Sequence, residues 1–134
     1  MTRFLSVEHV VSLHQGLTGV LSGDPGIRDL RALDVAVLRP TTTFAGEDLY
    51  PTLAAKAAAL MHAIVTTSPF VTASKGTAAI AAECFLAANG TALSATDQDL
   101  LTVVVATERG EVGVEALGVW FAQRTVRRPG HGAI

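Results

Sequence analysis

With 134 residues the chain suits a single domain, and its balance of 49% apolar to 16% charged residues excludes intrinsic disorder, which needs the opposite composition. A formal net charge of -2 lacks the basic footprint of a dedicated nucleic-acid binder, and the single cysteine, Cys84, excludes a disulfide framework or a cysteine-based zinc site. Glu8 and His9 stand where a signal peptide would be apolar, and the uncharged run 57–74 is broken by Pro69 and diluted by Thr66, Thr67, Ser68 and Thr72, so the expected protein is cytoplasmic and does not enter a membrane.

The predicted elements are mostly helices. Ser6 precedes the helical spacing of Val7, Val10, Val11 and Leu13 as an N-cap, and Gly16, Gly19, Gly23, Asp24, Pro25 and Gly26 then break the chain. Helical spacing resumes over 29–38 and stops at Pro40. The β-branched Thr41, Thr42 and Thr43 with Phe44 suit a short hairpin or flap, with an ordinary inter-helix turn as the alternative. Pro51 opens an alanine-rich helix to about residue 66, and Pro69 ends any continuation of it. A second alanine-rich helix is expected over 74–89, stopped by Asn89-Gly90. A further helix over 95–107 would use Ser94 as its cap and Asp97 in its first turn. The last spans 114–127, with Leu117, Trp120 and Phe121 inside. This makes an all-α bundle of about six helices with a short β-like flap: one domain over 1–128 and a flexible tail over 129–134 that carries His131.

Between the two alanine-rich helices the chain reads Ser68-Pro69-Phe70-Val71-Thr72-Ala73-Ser74-Lys75-Gly76-Thr77. This loop resembles the core motif of the Fic/Doc family, which reads H-x-F-x-[D/E]-[G/A]-N-K-R-T in its death-on-curing (Doc) branch. Gly26-Ile27-Arg28-Asp29, Arg39-Pro40, Glu47-Asp48-Leu49-Tyr50 and Gly110-Glu111-Val112 are similar to the same branch in order and spacing. The resemblance implies a helical domain that transfers part of a nucleoside triphosphate to a protein hydroxyl: AMP in the Fic branch, phosphate to a translation elongation factor in the Doc branch. In that chemistry the motif histidine is a general base, worth about 10²–10⁴-fold in rate. The acidic residue holds Mg²⁺ beside the phosphates. The small residue, asparagine, lysine and arginine line a helix N-terminus that favours anions.

This chain departs from the motif at the positions that do the chemistry. Ser68 stands at the base position, and a hydroxyl is too weak to replace imidazole near neutral pH. Thr72 stands at the metal position, neutral and a poor magnesium ligand. Ser74 replaces the asparagine, and Gly76 removes the arginine fork that grips phosphate. Phe70, Ala73, Lys75 and Thr77 remain. Backbone amides over 74–77 and the Lys75 ammonium could still hold a phosphate; the alternative is that Lys75 is a solvated first-turn residue, and no Walker-type loop surrounds it.

The other candidates have bland alternatives. His62 suits a structural histidine better than a substitute base. His9 and His14 lie five apart, off the spacing that would put two ligands on one face. Cys84 and Glu83 read as a packed thiol and a surface carboxylate, and Arg124, Arg127 and Arg128 as a basic helix end.

Two readings of function follow. The first is a Doc-like protein whose transfer site is degenerate, retained as a binding or regulatory module with no required cofactor. The second is an active death-on-curing toxin that uses ATP and Mg²⁺ by an altered mechanism. A structural role in a toxin–antitoxin or biosynthetic assembly, recognised through Thr41–Phe44, ranks below both. The resemblance also implies a flap that holds a target segment by strand addition, and an antitoxin peptide of the Phd type folded over the toxin; a self-dimer is the alternative partner.

Overall fold

Ser6 starts the first helix as its sequence predicts. Its hydroxyl accepts the His9 N–H at 3.1 Å while the Ser6 N–H donates to His9 Nδ1 at 3.1 Å, a reciprocal cap. The computed structural model describes residues 1–127, so the 129–134 tail, His131 and Arg128 lie outside the described residues. Helix α1 spans Val7–Leu21, longer than the glycines suggest. Gly16 and Gly19 lie in open space on its outer side, where each costs only propensity, about 1 kcal/mol. Val10, His14 and Thr18, one turn apart, are buried on its inner face and carry the helix through.

After α1 the chain turns over residues 23–29, where Asp24 Oδ1 accepts the Gly26 N–H at 2.8 Å. Helix α2, Leu30–Leu38, is capped by Asp29, whose carboxylate accepts the Ala32 N–H at 3.0 Å. A 3-10 turn, Arg39–Thr41, built on Pro40, leads into a hairpin of β1, Thr43–Phe44, and β2, Glu47–Asp48. Thr43 pairs with Asp48 and Phe44 with Glu47. The two turn residues, Ala45 and Gly46, both have positive φ (52° and 83°), the conformation that matches the twist of a two-residue hairpin. The expected flap is therefore a hairpin rather than an ordinary turn.

Helix α3, Leu53–Thr67, is the centre of the molecule. Ala54, Ala57, Ala58, Leu60, Met61, Ala63, Ile64 and Val65 are buried around its circumference, and it packs against α2, α4, α5 and α6. The small side chains permit that closeness: a Cβ placed on Gly118 would lie 3.7 Å from the Ala55 Cα. Pro51 precedes the cap, which is Thr52, its hydroxyl accepting the Ala55 N–H at 3.0 Å. Helix α4, Ser74–Ala88, ends as expected at Gly90 (φ 80°), with Asn89 Nδ2 donating to the Phe85 and Arg3 carbonyls.

Two expectations about the C-terminal third are corrected. The cap of α5, Asp97–Glu108, is Thr96, which accepts the Asp99 N–H at 3.0 Å; Ser94 instead donates its N–H to the Arg124 carbonyl. The last helix, α6, spans only Val114–Ala122, after which Thr125–Arg127 forms β4 and pairs antiparallel with β3, Thr91–Leu93. That pairing outweighs a further turn of helix because Thr125 and Val126 are β-branched. Leu117 and Phe121 are buried, Trp120 is half-buried edge-on to Phe121, and the Arg124 guanidinium lies 4.5 Å from the Trp120 ring centroid. Cys84 is half-buried, and its thiol is pushed above its ordinary range by burial and then by Glu83, so it has the character of a packed thiol. The described residues form a six-helix bundle with two short two-stranded sheets. No helix among the described residues is long and apolar enough to cross a membrane.

Candidate functional site

Residues 68–77 form the connection between α3 and α4, and two segments from earlier in the chain hold it. Ser68 ends α3 in the left-handed region (φ 45°), and its N–H closes the helix on the Ile64 carbonyl. Arg28 reaches over this end, donating from Nε to the Ser68 carbonyl at 2.8 Å and from Nη2 to the Thr67 carbonyl. It thereby satisfies two orphan carbonyls and sets a positive charge at the negative end of the helix. The backbone of 26–29 runs alongside: Val71 N–H donates to the Gly26 carbonyl at 3.0 Å, and the Arg28 and Asp29 N–H groups both donate to the Pro69 carbonyl.

From α1, His14 is the main support. Its ring is fully buried, lies flat on Phe70 with centroids 3.8 Å apart, and places Nε2 2.8 Å from the Thr72 carbonyl oxygen. Donation to that carbonyl requires the Nε2–H form, which leaves Nδ1 a buried acceptor without a partner. Thr72 is tied down a second time, its hydroxyl donating to the Asp24 carbonyl at 3.0 Å. Ala73 takes the left-handed region (φ 61°) and swings the chain into α4. Ser74 is buried, and its hydroxyl accepts the Phe70 N–H at 3.2 Å, so it serves the loop itself. No side chain caps α4, which leaves the first amides of the helix without an intrahelical acceptor.

A cleft of about 560 Å³ opens over this loop, walled by Leu17 and Leu21 of α1, Leu101 of α5 and the side chains of the loop. The candidate residues Ser68, Thr72, Ala73, Ser74, Lys75 and Gly76 all line it; Thr77 does not, being fully buried behind them. Lys75 is neither free nor merely solvated: its ammonium pairs with Glu108 of α5 at 2.9 Å. At Gly76 a Cβ would stand 2.7 Å from Leu17 Cδ2, so the α1 side chain fills the space into which a longer residue would emerge.

The lining of the cleft contains no carboxylate, and the Thr72 hydroxyl is spent on Asp24. Among the described residues no three of histidine, cysteine, aspartate and glutamate converge as a metal ligand set. The donor set therefore does not fit Mg²⁺, which requires hard anionic oxygens.

Thr41, Thr42, Thr43 and Phe44 are outside the lining of the cleft. The hydroxyls of Thr41 and Thr42 fold back onto the Leu38 and Arg39 carbonyls, while Phe44 is 76% exposed on the hairpin. The hairpin is fastened at its base by Lys56, buried to 3% exposure, which donates to Asp48 Oδ2 at 3.0 Å and to the Tyr50 carbonyl. A second fastening is Arg39, which donates from Nε to Tyr50 Oη at 3.0 Å and from Nη1 to His62 Nδ1 at 3.0 Å. His62 is thus half-buried structure at the flap base, and burial followed by the Arg39 charge lowers its pKa, against a smaller opposing effect of Glu115.

Sequence reasoning missed His14, Arg28, Leu17 and Glu108 as parts of this site. The spacing of Val10, His14 and Thr18 was the available signal for His14, because a polar residue on a buried face needs a partner. Nothing in the local sequence pointed Arg28, Leu17 or Glu108 at a loop more than 30 residues away.

A model of the Fic/DOC family matches residues 4–86, the stretch that includes α1, the flap, α3 and most of α4. The chain is also similar to a protein of Mycolicibacterium smegmatis (strain ATCC 700084 / mc(2)155) named Toxin Doc, 40% identical over 95 residues that cover 71% of each chain. The family model runs through the same helices α1, α3 and α4 that build and brace the 68–77 loop, and together with the similar relative it shows that the chain belongs to the Fic/Doc family.

Proposed function

We propose that this protein is a Doc-type member of its family that does not carry out nucleotide transfer and acts as a binding or regulatory module. One observation carries the reading: where the family's chemistry needs a base, a metal ligand and an arginine stand Ser68, Thr72 and Gly76, none of which supplies such a group. Ser68 closes α3, Thr72 is tied to Asp24, and Gly76 abuts Leu17. The one cation of the motif, Lys75, is balanced by Glu108, so the motif itself offers a triphosphate no unpaired cation. The first amides of α4 remain available to a single anionic group.

The partner we propose is an antitoxin segment, by analogy with the toxin of the similar relative. The apolar rim supports it: Leu21, Val71 and Leu101 are each more than half exposed beside the cleft, where an amphipathic segment would bury them. A second copy of the chain is the alternative occupant. In the cell we place the protein in the cytoplasm, where translation factors and antitoxins are met.

The test is a transfer assay with α- and γ-labelled ATP, Mg²⁺ and bacterial lysate. The expected result is no labelled protein with either nucleotide. Transfer of the γ label would establish a kinase, and of the α label an AMP transferase; either would overturn the proposal in favour of an active toxin working without an imidazole base. That second reading draws on the surviving Ala73 turn and the uncapped N-terminus of α4.

A further inference from the structure

Away from the motif cleft, a second cavity of about 350 Å³ opens between α2 and the C-terminal half of α3. Its lining is mostly apolar, with Ala32, Val35, Ala36 and Ala63, and two arginines, Arg31 and Arg39, complete it at either end of α2. Neither has a carboxylate partner among the described residues: Arg31 is exposed with no hydrogen bond or ion pair, and Arg39 donates only to Tyr50 Oη and His62 Nδ1. Two of the five N–H groups of Arg39 are used in that way, which leaves three, and Arg31 keeps all five. The only acid on the rim is Asp29, and one of its oxygens is engaged as the cap of α2 by the Ala32 N–H.

We propose that this cavity is an oxyanion site that takes the phosphate group of a phosphomonoester. Two arginines and one carboxylate leave this cavity with an excess of positive charge, and a bound anion offsets it while supplying acceptors for the free N–H groups. The choice between oxyanions follows from geometry. A carboxylate presents two oxygens in one plane and is satisfied by one guanidinium fork. A phosphate directs three oxygens apart, so two forks reaching in from opposite ends of α2 can share it. The apolar lining accepts the carbon side of an ester. The site is separate from the α4 N-terminus, and its existence does not depend on how the motif cleft functions.

The experiment is a titration of the isotopically labelled full chain with inorganic phosphate at constant ionic strength, followed by backbone amide shifts. We expect saturable shifts over residues 31–39 and 63–67 with a dissociation constant on the order of 1 mM. Arg31→Gln, at an exposed side chain with no intramolecular partner, weakens binding about tenfold, the loss of a charge-assisted contact. Arg39→Lys keeps the charge, loses the fork and also weakens it, while Lys75→Ala leaves these shifts unchanged. O-phosphoserine binds at least as well as phosphate, and acetate more weakly. The proposal is overturned if shifts fail to saturate, if they are confined to 73–77, or if Arg31→Gln has no effect. It is also overturned if acetate matches phosphate or if O-phosphoserine is excluded.

Discussion

His14 shows what a single side chain contributes to the motif loop. A ring stacked on Phe70 and bonded to the Thr72 carbonyl fixes two points of a segment that has few backbone bonds of its own. Removing it opens a cavity in a fully buried position and strands a carbonyl. His14→Ala should therefore cost about 3 kcal/mol of stability, near the values for deleting a buried ring. His14→Phe keeps the stack and loses the donor, so its cost should be smaller, about 1–2 kcal/mol. Urea unfolding of the two variants separates the contributions; equal losses would mean that the stacked ring contributes nothing, and no loss in His14→Phe that the hydrogen bond contributes nothing. Lys75 is the contrasting residue. Its pair with Glu108 is about 40% exposed on both sides, and such a pair is worth no more than about 1 kcal/mol. Its importance is that it occupies the one cation of the 68–77 motif.

At the scale of elements, the flap is held to α3 by a fastening that titrates. Arg39 donates to His62 Nδ1, which is possible only while the imidazole is neutral, and burial and the Arg39 charge both hold its pKa below the ordinary 6.5. Because the folded chain binds this proton less readily than the unfolded one, the contribution of His62 is fully present above 6.5. It is lost as pH falls through 6.5, and the loss levels off below the folded value. His62→Gln can still accept from Arg39 through its amide oxygen but does not titrate. Between about pH 7.5 and about pH 5.5 the natural chain should lose more stability than this variant. Chemical denaturation at the two values measures the difference, and identical losses would remove His62 as the cause. Most elements were legible because their signals are local: the cap at Ser6, breaks at Pro40 and Pro69, the stop at Gly90. The full length of α1 was not, because Gly16 and Gly19 argue for a break and only the burial of His14 and Thr18 overrides them. Nor was the β3–β4 pair: three-residue strands more than 30 residues apart have no pattern until they meet. The candidate site divides in the same way. Its loop was readable from residues 68–77, while its walls come from α1 and α5 through tertiary packing alone.

For the molecule as a whole, the proposed loss of transfer raises the question whether only functional groups are missing from the motif or whether the rest of the chain is fitted to the residues now there. The packing supports the second. Leu17 of α1 occupies the space beside Gly76, and the 23–26 turn is fitted to Thr72 so closely that a Cβ on Gly23 would stand 2.9 Å from its hydroxyl. An aspartate at 72 would lose the donor to the Asp24 carbonyl and set a carboxylate against that oxygen. An arginine at 76 would require the end of the Leu17 side chain to shift. The combined variant Ser68→His, Thr72→Asp, Ser74→Asn and Gly76→Arg is thus expected to be less stable than the natural chain by about 1–3 kcal/mol, the usual cost of overpacking, and to transfer no label from ATP. The cause can be isolated by a cycle between Gly76→Arg and Leu17→Ala. If α1 has filled the arginine's space, the pair should be less destabilising than the sum of the two single changes by about 1 kcal/mol, since one change makes room for the other. Additive losses would mean that Leu17 is indifferent to what stands at 76, and label transfer by the four-residue variant would mean that only the functional groups were missing. Coupling without transfer would place the change in the α1–α4 packing, where no substitution confined to the motif can reach it.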